Sequence, residues 1–146
     1  MAQTPHVTIV DSNGNANSST APFYTSSSRI PAGTDVTSSA TGANAAITAT
    51  LPGAAGKMTR ISGFEVTGTG ATSATIVTVT VTGLVSGTLN YVVAIPAGIQ
   101  TSITPLLVTF PREVAASAEN TAIVVNVPAF GLGNTNVAVS AHGYQL

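Results

Sequence analysis

The chain is 146 residues long, with a formal net charge of −1, 44% apolar residues, only 6% charged residues and no cysteine. Its four cations (Arg29, Lys57, Arg60, Arg112) make no basic patch for nucleic acid, the missing cysteines remove disulfide and thiolate chemistry, and no apolar run approaches the ~18 residues of a membrane helix. An ordinary soluble domain is roughly one quarter charged, so a chain this poor in Lys and Glu reads as a part made to lie against copies of itself or against a larger body.

The first ten residues, MAQTPHVTIV, lack a basic segment followed by an apolar stretch, so no secretory signal is expected, and residues 6–10 read as a short strand. Residues 11–44 are dominated by Ser, Thr, Asn, Ala and Gly without sustained periodicity. Such a stretch cannot bury enough apolar area by itself to offset the entropy of ordering it. Two readings stand. It is a surface loop with one or two short strands packed on the main body, or an extended arm whose Phe23, Tyr24 and Ile30, next to Arg29, dock on a neighbouring subunit. The chain therefore divides into an N-terminal strand plus arm or loop, residues 1–44, and a main domain, residues 45–146.

From residue 45 the pattern has period two, that of a strand with one dry and one wet face. Residues 75–82 (TIVTVTVT) show it most clearly, with Val77, Val79 and Val81 on one side and Thr78, Thr80 and Thr82 on the other. Threonine can face water, yet a partner can cover it without stranding a charge in a low dielectric. Further strands are predicted at residues 46–51, 58–68, 89–95, 103–110, 122–127 and 137–144, each bounded by Gly/Pro/Asn turn chemistry. A helical turn is predicted at residues 112–118, after Pro111. Eight short strands without a helix between them predict an all-β protein, an antiparallel β-sandwich. The first choice is a jelly roll of about eight strands with an irregular Ser/Thr-rich N-terminal segment; an immunoglobulin-like sandwich is second, because the two cysteines and the tryptophan of a true immunoglobulin core are missing.

No motif carries chemistry. Residues 53–58 (GAAGKM) lack the first Gly and the final Ser/Thr of a phosphate-binding loop and read as a turn. Gly68, Gly70 and Ser73 lack the third glycine of a dinucleotide fingerprint. Residues 11–15 (DSNGN) start like a calcium loop but lack its later glutamate. His6 and His142 are the only imidazoles, and Glu65, Glu113 and Glu119 are not spaced as a carboxylate pair across a cleft. No catalytic residue, cofactor site or metal site is expected, and the chain is not read as an enzyme.

Residues 90–101 (NYVVAIPAGIQT), 105–113 (PLLVTFPRE) and 118–144 (AENTAIVVNVPAFGLGNTNVAVSAHGY) resemble virion proteins of tailed bacteriophages, closest to small jelly-roll decoration, or cement, proteins of the capsid exterior. With residues 58–82 the likeness covers roughly the last 90 residues. It implies a structural virion protein, made in the host cytoplasm, that binds the major capsid protein between capsomers as a dimer or trimer and stabilises the shell. The alternative is a carbohydrate- or receptor-binding β-sandwich module of a phage tail or fibre. A tail-tube or baseplate component shares the same composition.

Overall fold

A computed structural model describes residues 33–146. They form eight strands: β1 (Thr34–Gly42), β2 (Ile47–Leu51), β3 (Thr59–Gly68), β4 (Thr75–Thr82), β5 (Leu89–Ile95), β6 (Leu106–Ala115), β7 (Ile123–Val127) and β8 (Val137–Gln145). All pairings are antiparallel, in two four-stranded sheets of order β1-β8-β3-β6 and β2-β7-β4-β5.

The order follows from one long hairpin. Folding the chain back at the β4–β5 turn pairs β4 with β5, β3 with β6, β2 with β7 and β1 with β8. Rolling that ribbon on itself adds β3–β8 and β4–β7, which join the four pairs into two sheets. This is the jelly roll the sequence predicts. It collects the loops at residues 43–46, 69–74, 96–105 and 128–136 at one end of the sandwich, and those at 52–58, 83–88 and 116–122 at the other. Backbone bonds confirm the grouping: Gly70 N–H to Thr101 O (2.7 Å) and Thr72 N–H to Leu132 O (2.8 Å) at the first end, Ser117 N–H to Gly83 O (2.8 Å) and Asn120 N–H to Lys57 O (3.1 Å) at the second.

Period two is realised as read. Val77, Val79 and Val81 turn into the core between the sheets, while the threonines between them face outward. The core is aliphatic, built on Leu51, Ile61, Ile95, Ile123 and the β-branched residues of β4, β7 and β8, with two buried rings, Phe64 and Phe130. Tyr91 on β5 packs edge-on against Phe64, ring centres 5.2 Å apart and planes at 74°.

Two points of the sequence reading meet the structure differently. The first sheet strand is Thr34–Gly42, a strand packed on the main body as one of the two readings of residues 11–44 has it, so the sandwich takes in residues ahead of 45; the expected strand at residues 6–10 lies outside the described residues. β1 is an edge strand of small polar residues whose inward face offers only Val36 and Ala40 to the core, too weak an alternation to stand out. Second, residues 112–115 continue β6 instead of starting a helical turn. The register jumps from Ile61–Val114 to Gly63–Thr109, leaving residues 110–113 bulged opposite Ser62. Pro111 is tolerated there because β6 pairs on one side only and an edge bulge needs no amide from it.

Phe64 is 1% exposed, so Phe64→Ala removes a buried ring from between the sheets and lowers unfolding free energy by about 3–5 kcal/mol in urea titration. Burial pushes the Tyr91 phenol above its ordinary 10.0. With its folded pKa above its unfolded one, the neutral ring's stabilising contribution is full below the unfolded value and disappears as the pH rises through the folded one. Tyr91→Phe therefore loses less stability than the parent chain between pH 7 and about pH 11, measured by the same titration at both pH values.

Candidate binding surface

The second sheet carries no charged residue in any of its strands (ITATL, IVVNV, TIVTVTVT, LNYVVAI). Register aligns its outward side chains in rows. Thr48, Asn126, Thr80 and Asn90 cross all four strands; Thr50, Val124 and Thr82 form a second row, and the pairs Thr78–Val92 and Ile76–Ala94 complete the face. The adjoining loops at residues 43–46, 69–74, 96–105 and 128–136 carry no charge either. All seven charged residues of the described chain lie elsewhere. Asp35, Arg60, Glu65, Arg112 and Glu113 are on the β1-β8-β3-β6 sheet, and Lys57 and Glu119 are in loops at the opposite end. One face and one end of the sandwich thus form a continuous neutral surface.

That surface also holds most of the exposed large apolar side chains: Ile76 and Val92 on the sheet, Ile99 and Leu132 on the loops. An open groove of about 770 Å³ runs beside Ile76, floored by Ala94, Ile95 and Pro96 and walled by Thr101, Ser102 and Thr104. Such a lining offers dispersion contacts and a few hydroxyls, with no group to activate a nucleophile or hold a metal.

The loop end is rigidly held. Asn134, 4% exposed, accepts the Asn44 N–H at Oδ1 (3.2 Å) and donates from Nδ2 to Thr69 O (2.7 Å), Asn136 O (3.2 Å) and Thr69 Oγ1 (3.3 Å). One amide therefore ties three loops. Beside it Gly133 stands at φ +82°, and a Cβ there would run into the Ile99 and Thr72 side chains. Glycine at this point lets the loop bearing Leu132 lie against the loop bearing Ile99.

The residues singled out in the sequence distribute plainly. Phe23, Tyr24, Arg29 and Ile30, with His6 and residues 11–15, lie outside the described residues. Residues 53–58 form the β2–β3 turn, closed by Lys57 N–H to Ala54 O (3.1 Å), with Lys57 Nζ donating to Thr34 Oγ1 (3.0 Å). Gly68 ends β3 and Gly70 and Ser73 lie in the β3–β4 loop. Glu65 stands on the outer face of β3 between Ser140 and Leu107, Glu113 in the β6 bulge and Glu119 in the next loop, so no two carboxylates share a cleft. Among the described residues no group of three His, Cys, Asp or Glu converges on a metal position. Composition flagged the Thr-faced strand; the partition of charge between the sheets needed the strand order.

Comparison with protein-family models, with curated proteins and with solved structures finds no match to this chain.

Asn134→Ala removes the side-chain partner of the part-buried Thr69 carbonyl and of the Asn44 amide and costs about 1–3 kcal/mol. Asn134→Asp costs more, since it turns a donor aimed at three oxygens into an anion. Urea titration of both variants checks the order.

Proposed function

We propose that this chain is a structural virion protein that lies on the outer surface of a tailed-phage capsid, between capsomers, and stabilises the shell. The observation that carries the reading is the segregation of charge. An ionised side chain moved out of water without a partner is costly, and the face of the β2-β7-β4-β5 sheet with its loop end has none to move. That side is placed against the capsid protein, with the charged sheet left in water. The jelly-roll order and the likeness of residues 90–144 to capsid decoration proteins support the same assignment. Its action is mechanical: modest contacts repeated by the symmetry of the shell add up to large avidity. The sugar-binding alternative draws less support, because Tyr91, one of three tyrosines, is turned inward onto Phe64 and is not free to stack on a ring.

Purified protein added to mature, expanded shells of the virus that encodes it, lacking this chain, should bind and raise their rupture temperature. Thr78→Glu puts a carboxylate on the neutral face and should abolish binding; Thr109→Glu, on the other sheet, should not. Shells that neither bind saturating protein nor change in heat resistance overturn the proposal.

A further inference from the structure

We infer that the free edge of β5 pairs antiparallel with β5 of a second copy, joining two β2-β7-β4-β5 sheets into one sheet of eight strands. Among the described residues β5 is bonded on one side only, to β4, over seven residues without a register shift. Sheet edges in soluble proteins are normally protected against such pairing by charge, proline, bulges or short length. The other edges here show those devices. β6 carries Pro111, Arg112, Glu113 and a register break. β2 is five residues long and its Thr50 amide donates to Ser38 Oγ at 3.0 Å. β1 carries Asp35. β5, sequence LNYVVAI, has none of them.

Charge points to a second copy as the occupant. A two-fold axis sets a residue that lies on it beside its own image, so any charge near the axis meets its like. β5 and its neighbour β4 carry no charge, which makes this edge complementary to itself. Pairing in full register puts Val92, the middle residue of the strand, opposite Val92 of the second copy, and Asn90 opposite Ala94. Val92 is 70% exposed on the outer face and gains an apolar cross-strand neighbour there.

Area supplies a second argument, which rests on the shell reading although the pairing itself does not. At strand spacings of about 4.8 Å and rises of about 3.3 Å, one four-stranded face covers roughly 440 Å², about half the ~800 Å² per partner of a stable interface. An antiparallel join about an axis normal to the sheet keeps both neutral faces on the same side and doubles the platform.

Sedimentation velocity of the full chain over a range of concentrations tests this, with Val92→Lys and Leu107→Lys as the variants. Leu107 is equally exposed, at 70%, but sits on the other sheet. The parent chain should form a dimer that dissociates on dilution. Val92→Lys should weaken it about tenfold or more through like charges at the axis, and Leu107→Lys should leave it unchanged, with both variants melting as the parent does. A monomer at every concentration, equal weakening by both variants, or a trimer that Val92→Lys leaves intact overturns the inference. A Val92-dependent dimer that ignores shells defeats only the shell reading; tight shell binding by a chain that stays monomeric defeats only the pairing.

Discussion

The cost of taking a charge out of water governs what this molecule can do. An ionised side chain covered by a partner surface loses several kcal/mol of hydration unless an opposite charge and further hydrogen bonds meet it. Threonine and asparagine lose far less, because a hydroxyl or amide finds substitutes among a partner's backbone groups. The rows Thr48–Asn126–Thr80–Asn90 and Thr50–Val124–Thr82 therefore form a face with polar groups enough to be wetted and no charge to resist being covered. The opposite sheet, with Asp35, Arg60, Glu65 and His142 on or across its outer surface, is suited to remain in water.

The two sheets differ so sharply because of how the hairpin rolls. β2, the β4–β5 hairpin and β7 come from separate parts of the chain, and the β2–β7, β4–β7 and β4–β5 pairings bring their neutral outer residues into a single plane. Had the same eight strands been laid down as a plain meander, Arg60 and Glu65 on β3 would have interrupted the Thr rows. Jelly-roll order sends β1, β3, β6 and β8 to one sheet and β2, β4, β5 and β7 to the other, and the sequence places its strand-borne charges on β1, β3 and β6, which share one.

Much of this architecture was legible before any coordinates. Strong alternation on a β-branched background located β4 and β5 to the residue, and Gly/Pro punctuation marked out seven of the eight described strands. What escaped was information carried between distant residues. TDVTSSATG does not mark itself as a strand because its partners, the residues of β8, are about 100 positions away and supply the pairing that makes it one. Pro111 reads as a stop because the bulge that admits it belongs to the β3–β6 register. Asn134 reads as one more turn residue, since nothing local shows that its amide will reach Thr69 and Asn44, 65 and 90 positions away. The candidate face was half visible for the same reason: the Thr-faced strand could be seen singly, but its neutral neighbours could be assigned only once the strand order was known.

A neutral, partly apolar surface is also a hazard, because exposed apolar patches and unguarded edges invite unspecific association. Rigidity is what separates a docking surface from a sticky one. Here the exposed Ile99 and Leu132 side chains sit on loops fixed by Asn134 and by the Gly70–Thr101, Thr72–Leu132 and Gly98–Ala71 backbone bonds. A partner that fits this fixed relief is recognised without spending free energy on ordering loops, whereas an ill-fitting one leaves hydroxyls and carbonyls uncovered and unpaired. On the proposed reading, shape and hydrogen-bond matching take over the discrimination that charge supplies in most proteins, and the buried Asn134 amide contributes by holding the loops whose relief a partner would meet.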